Sequence, residues 1–317
     1  MFLVGKETFC DFQSIQQAVD YCENHKQTEA VTIQVLSGLY EEQVVISRSQ
    51  LTLKGIGDVT IQYGLSAREK DPLGNELGTF RTPTLYVGGQ NNKIENVTII
   101  NSSGYGEDVG QALAVYADCD ETVFRHCRMI GYQDTLFTGR LPGKQKDGTD
   151  FILLEQSQDQ KEYRQYYESC FISGTIDFIF GGATAYFYQC EINSRRERTR
   201  KGGYITAAST PKDQKSGFIF RECFLSAEED VEGVFLGRPW RAYAKTAFIH
   251  CEYGQHILPA GWNDWSNSQN QETTDYVEIL KGKYQFNQRV LWSRQSHTAN
   301  SEYNIELVFP KSDFYKK

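Results

Sequence analysis

Tyr167-Glu168-Ser169-Cys170-Phe171-Ile172-Ser173-Gly174-Thr175-Ile176-Asp177-Phe178-Ile179-Phe180-Gly181-Gly182 carries both patterns on which the reading of this chain turns. Its first half is a hexad: an aromatic or apolar residue, two residues, a cysteine, one residue, an apolar residue. Its second half sets one carboxylate, Asp177, at the mouth of Phe178-Ile179-Phe180, which has the length and residue types of a short buried strand. An acid in that place is costly to desolvate unless it is hydrogen-bonded or paired. Taken alone, it reads equally well as a turn aspartate opening a strand.

The hexad recurs as Phe124-Arg125-His126-Cys127-Arg128-Met129, Phe187-Tyr188-Gln189-Cys190-Glu191-Ile192, Phe220-Arg221-Glu222-Cys223-Phe224-Leu225 and Phe248-Ile249-His250-Cys251-Glu252-Tyr253. Ile94-Glu95-Asn96-Val97-Thr98-Ile99 reads as a further copy, with Asn96 in the place of the cysteine. Short β-rich runs with elastic loops between them are the signature of a solenoid. In one phase of such a repeat, Cys127, Cys170, Cys190, Cys223 and Cys251 read as a buried stack of small apolar side chains. Ahead of the repeats, Ser14 with Gln17 gives a capping-box start, and Ile15, Ala18, Val19 and Cys22 share one face of the helix that follows. The expected organisation is one all-β domain over 1–317. A cap helix falls within 1–25, a polar insertion at about 140–160, and a tail at about 270–317.

Equivalent residues of a solenoid lie about 4.8 Å apart, one coil above the next. Asp177 follows Cys170 by seven residues and Asp134 follows Cys127 by seven, and each precedes a short apolar run. Gln111 opens another such run, Ala112-Leu113-Ala114-Val115. The expectation is a column of Gln111, Asp134 and Asp177 on three successive coils, with the surplus between the acids looped out from Arg140 to about Gln160. Two carboxylates stacked this closely cannot ionise independently, so one serves as a base or nucleophile while the other keeps a proton. A structural acid pair capped by backbone N–H groups is the alternative. The amides of Gln111 and Gln133 suit a developing oxyanion because they donate without bringing a counter-charge. Arg238, in Leu236-Gly237-Arg238-Pro239-Trp240, can hold a carboxylate with its planar fork. Trp240 offers a flat face for sugar C–H groups.

Gly38-x-Tyr40-x-Glu42, Gln111-Ala112-Leu113-Ala114, Gly131-Tyr132-Gln133-Asp134-Thr135-Leu136, Gly174 to Gly181 and Leu236 to Trp240 together resemble the ordered motif set of pectin methylesterases. Tyr204 to Thr210 and Gly261-Trp262 fit the same set. The resemblance implies a right-handed parallel β-helix and hydrolysis of the C6 methyl ester of galacturonate. It implies Asp177 as nucleophile, Asp134 as general acid and then base, Gln111 and Gln133 on the oxyanion, and Arg238 holding Asp177. Trp240 and Phe180 would line the sugar groove, and neither metal nor cofactor is required. The implied partner is methyl-esterified homogalacturonan or its oligogalacturonides.

The bulk numbers bound the alternatives. A formal net charge of −8 over 317 residues argues against nucleic acid as the main partner. No apolar run reaches the roughly 20 residues of a membrane helix. The start of the chain lacks a signal-peptide pattern, so the expected location is cytoplasmic, or secreted if a leader has been removed. With eight cysteines and no Cys-x-x-Cys, the expectation is reduced thiols and no zinc site. A monomer is expected. Arg195 heads the one basic cluster, Arg195 to Lys201, as a candidate contact for free substrate carboxylates, against the alternative of a solvated loop. An esterase or thioesterase on another acyl substrate, and a non-catalytic carbohydrate-binding β-helix, remain the competing readings.

Overall fold

A computed structural model describes residues 1–26, 28–156, 160–282, 285–298 and 301–316. Residues 157–159 of the expected insertion, and 283–284, 299–300 and 317 of the expected tail, lie outside the described residues.

The chain winds as a right-handed parallel β-helix. One wall is a seven-stranded sheet of Val44–Ile46, Leu85–Val87, Val115–Ala117, Leu136–Thr138, Ile176–Gly181, Gly203–Ala208 and Val234–Gly237, paired in chain order and all parallel. The other two walls run together as one 17-stranded sheet. They join because the long strand Leu51–Tyr63 pairs with Lys93–Glu95 through its first half and with Thr98–Asn101 through its second.

Each hexad is a corner between these two walls. The residue before each cysteine takes the left-handed conformation, with φ of 51° at His126, 51° at Ser169, 50° at Gln189, 55° at Glu222 and 53° at His250. That conformation costs a residue with a Cβ about 1–2 kcal/mol. The backbone N–H at every corner donates to a carbonyl of the next coil, as His126 to Glu168 and Ser169 to Tyr188, both at 3.0 Å. In the first copy Asn96 is itself the corner residue, at φ 55°. The pairing of Arg128 with Thr98 sets Cys127 against Val97. Val97, buried like the cysteines, therefore takes the cysteine's place, which corrects the alignment of Asn96 with them.

Inside the corners the side chains stack as the repeat requires. The rings of Phe124, Tyr167, Phe187, Phe220 and Phe248 stand in one column at centroid spacings of 4.8, 4.5, 4.4 and 4.6 Å. That is the strand-to-strand distance repeated by the side chains. Beside them Cys127, Cys170, Cys190 and Cys223 are buried and Cys251 half-buried, and all eight cysteines are free thiols.

The helix Ile15–His25 closes the first coil with Ile15, Ala18, Val19 and Cys22 buried. Its N-terminus is capped twice. Ser14 Oγ accepts from the Gln17 N–H at 3.4 Å, and the Glu42 carboxylate accepts from the Ile15 and Gln16 N–H groups at 2.8 and 2.9 Å. A carboxylate at a helix N-terminus satisfies free donors and opposes the positive end of the dipole.

The expected tail begins as part of the solenoid. Asp275–Ile279 is a further coil strand, parallel to Lys245–Ile249. Only afterwards does the chain turn back along a flank, where Val308, Phe309, Phe314 and Tyr315 cover Val123, Tyr166, Tyr186 and Ile219. Those strand residues point outward and are apolar, so the sheet face needed a cover.

Candidate active site

The seven-stranded wall bears the site. Its outer face carries Tyr86, Tyr116, Phe137 and Phe180, extended by Phe80 and by Trp240 and Trp265 at the edge. Edge-to-face contacts link them, including Phe80 to Phe137 at 5.0 Å and Phe180 to Trp240 at 5.7 Å. A cleft of about 260 Å³ opens over this row, lined by Gln111, Gln133, Asp134, Asp177, Phe180, Arg238, Trp240 and Trp265, with Gln145, Lys146 and Phe151 from the insertion.

The two acids meet because the strands after them are in register. Leu136 pairs with Ile179, each two residues beyond its aspartate, and the Asp134 N–H donates to Ile176 O at 3.0 Å. Both aspartates hold the left-handed conformation, φ 64° at Asp134 and 50° at Asp177. Strained backbone of this kind persists where the surrounding structure over-determines it, and it aims the side chain off the sheet. At Asp177 a register slip against Gly203–Ala208, between Ile176 and Ile179, adds a bulge. Just beyond, Gly181 sits at φ 125°, where a Cβ would run into Thr138 O.

Gln111 reaches the same cleft by a different register from the one expected. Val115 pairs with Leu136, but the Ala112 N–H donates to Gln133 O, which sets Ala112 beside Asp134, so Gln111 lies one residue before the expected place. The Ala114 and Val115 N–H groups both donate to Thr135 O, at 2.8 and 3.1 Å. Gln111 and Gln133 lie on neighbouring coils, tied by the Ala112 N–H to Gln133 O bond at 3.1 Å.

Asp134 and Asp177 are 8% and 7% exposed, and their surroundings differ. Arg238 donates from Nε and Nη2 to the two oxygens of Asp177 at 2.8 and 2.7 Å. Its guanidinium is clamped between the rings of Tyr204 and Trp265, 3.9 and 3.7 Å from their centroids. Burial raises Asp177, and the hydrogen bonds and charge of Arg238, with Lys146 further off, oppose that rise. Asp134 has no such fork. Burial and then the charge of Asp177 drive it well above the usual carboxylate range, against only the long-range pull of Arg238. The geometry thus separates the pair into an oriented carboxylate that ionises first and a carboxylic acid that keeps its proton.

Trp240 and Phe180 line the cleft as the sequence suggests, but Arg195 does not line it. Its guanidinium lies 4.0 Å over the Tyr132 ring, donates to Gly131 O at 2.8 Å and pairs with Glu228 at 3.1 Å. Elsewhere in the basic cluster Arg198 pairs with Asp108 and Lys201 with Glu232, and the Thr199 and Arg200 N–H groups donate to Glu107. Tyr204 and Trp265, the clamp on Arg238, are missing from the residues expected on sequence, though both lie in or beside the motifs quoted above. Lys146 and Phe151 left no signal beyond belonging to the insertion. Among the described residues no group of three or more His, Cys, Asp or Glu is placed to hold a metal ion.

Comparison with known proteins places this arrangement. The pectinesterase family model matches residues 1–141 and 154–314. A probable pectinesterase/pectinesterase inhibitor of Arabidopsis thaliana is 32% identical over 284 residues, covering 87% of this chain and 41% of that protein. The chain spans between 35% and 51% of the length of such curated relatives. Among solved structures, pectin methylesterase from carrot superposes with a TM-score of 0.79 at 23% identity, over 97% of this chain and 92% of its own. A pectin methylesterase in complex with a hexasaccharide gives 0.78 at 23% identity, over 98% and 97%. These structures share the fold, and the family model spans both flanks of the insertion: the chain belongs to the pectinesterase family.

Proposed function

We propose that this protein hydrolyses the C6 methyl ester of galacturonate units in homogalacturonan or its oligomers, releasing methanol. The unequal acid pair carries the reading: Asp177 held by a bidentate arginine, beside Asp134 with a proton to give. In the first half-reaction a carboxylate oxygen of Asp177 attacks the ester carbonyl, and the developing oxyanion is met by the amides of Gln111 and Gln133. The tetrahedral species collapses as Asp134 protonates the departing methanol, which leaves an acyl-enzyme and an ionised Asp134. In the second half Asp134 takes a proton from water, water attacks the acyl carbon, and Asp177 departs as a carboxylate. Each group ends in its starting state.

Arg238 has two parts in this cycle. It keeps Asp177 ionised in a dry site, and its fork fixes which lone pairs face the substrate. Trp240 and Phe180 offer apolar faces to the pyranose rings. The hexasaccharide bound by a neighbour of the same fold supports an oligosaccharide lying along such a cleft.

The test is methanol release from a ladder of methylated oligogalacturonides, run beside simple acyl esters and thioesters. Stoichiometric methanol and unchanged chain length are expected from the methylated sugars. Turnover of acyl esters without methanol from the sugars would move the activity to another substrate. Shortened or unsaturated sugars would replace ester hydrolysis with chain cleavage.

A further inference from the structure

The segment 142–153 falls in the gap between the two stretches matched by the family model. It is nonetheless built into the site. Lys144 pairs with Asp150 at 2.5 Å, Gln145 Nε2 donates to Asp150 O at 2.8 Å, and the Gln145 N–H donates to Thr149 O at 2.9 Å. These contacts close the segment into a braced turn. The turn is docked at two points. Arg241 Nη2 donates to Lys144 O at 2.8 Å, and the Phe151 ring sits 5.2 Å from Phe80 and 6.2 Å from Trp240. Between these anchors Lys146 lines the cleft together with the two aspartates, its Nζ 3.8 Å from the centroid of Trp265.

Charge is the informative feature. Three cations stand around the cleft: Arg238, Lys146 and Arg241, the last with its guanidinium 4.8 Å from the Trp240 ring. Arg238 is matched by Asp177. Among the described residues neither Lys146 nor Arg241 has an ion-pair partner, in a chain of formal net charge −8. Lys146 is solvent-exposed and, among the described residues, its ammonium makes no hydrogen bond, yet it is held over a ring rather than loose in water. An ammonium so placed is preorganised for an anion lying in the cleft beside the reacting centre.

We propose that Lys146 binds the free carboxylate of an unesterified uronate that neighbours the ester being cleaved. The protein would then favour esters with an acid beside them over fully esterified stretches, and the insertion would be the element that reads substrate charge. The role that the sequence suggested for Arg195 passes to this residue. The inference rests on the site acting on uronate esters. It is separable from turnover, because it predicts binding of an oligomer that contains no ester.

The experiment titrates the whole protein, its Lys146→Met variant and its Lys146→Arg variant with unesterified trigalacturonate in a calorimeter. A charge-assisted hydrogen bond lost at the cleft weakens binding by about tenfold or more in Lys146→Met. Lys146→Arg should retain most of the affinity, and added salt should weaken the parent protein more than Lys146→Met. On methyl trigalacturonates, kcat/KM for the trimer esterified only at its central unit should fall further in Lys146→Met than kcat/KM for the fully esterified trimer. Equal trigalacturonate affinity in parent and Lys146→Met overturns the assignment, as does absence of binding to the parent. Equal loss on both methylated trimers assigns Lys146 to Asp177 alone and also overturns it. If trigalacturonate binds as described and no methylated oligomer yields methanol, the reading of the reaction fails while the anion site stands.

Discussion

Replacing Arg238 by methionine keeps a side chain of similar length between Tyr204 and Trp265 and removes both hydrogen bonds to Asp177. Those bonds, at 2.8 and 2.7 Å, end on a carboxylate only 7% exposed. Leaving a charge of that burial without its partner costs about 3–5 kcal/mol. The protein has one cheaper route, which is to protonate Asp177, because a tenfold change in proton affinity corresponds to about 1.4 kcal/mol. A protonated Asp177 cannot attack a carbonyl. At a fixed pH near neutrality, loss of about 3–5 kcal/mol is expected to lower kcat/KM by roughly 150- to 5,000-fold. The shape of the pH profile identifies the cause. In the parent, Arg238 opposes the rise that burial imposes on Asp177. In the variant that opposition falls to Lys146 alone, so the acid limb of kcat/KM moves to higher pH and the deficit narrows as pH rises. Arg238→Lys, which keeps a charge and loses the fork, should fall between the two. The assay is initial-rate methanol release across pH, with circular dichroism as the check on folding. A uniform loss at every pH would refute the electrostatic part of the argument, and undiminished activity would refute the role of Arg238 altogether.

Further expectations concern stability and the thiols. Asp134 is raised by burial and by Asp177, so it contributes its full stability below the unfolded-state value of about 3.9 and loses it as pH rises through the folded value. Asp134→Asn therefore should stabilise the protein at pH 7 by roughly 1–2 kcal/mol, or a few degrees in Tm, with the gain vanishing near pH 3.5, while turnover is lost. A Tm unchanged at pH 7 would show that Asp134 is not the strained member of the pair. Thiol reagents should label at most the half-buried Cys10 and Cys251 in native protein and all eight cysteines after denaturation. Rapid native labelling of more than these would contradict the stacked corners.

The repeat was legible because each hexad has to do three things at once. It ends a strand, turns a left-handed corner, and drops a small side chain inside, and few residue types satisfy all three. The pairing of Asp134 with Asp177 was legible for the same reason, since both acids sit at a fixed offset from the corner cysteine of their coil. The same counting misplaced Gln111, where Ala114 and Val115 share one carbonyl of the next coil and the register slips. Arg195 was misread because its partners are far off in the chain: Gly131 and Tyr132 lie 64 and 63 residues before it, and Glu228 lies 33 after. No local pattern marks such contacts. Lys146 lies in an aperiodic segment, so only the docking of its turn on Arg241, Phe80 and Trp240 shows where it points. The return of the tail was half-visible. Strands such as Ala185-Tyr186-Phe187 are apolar on both faces, which signals a cover without saying which segment supplies it.

The account of turnover depends on Asp177 being the group that attacks the ester. The direct measurement is methanol released from a methylated oligogalacturonide by the parent protein and by Asp177→Asn, a substitution that preserves shape and removes the nucleophile. The predicted result is a folded variant, with an unchanged far-ultraviolet spectrum, that binds the oligomer and releases no methanol above background. Methanol release by the folded Asp177→Asn protein at a rate near that of the parent would contradict it.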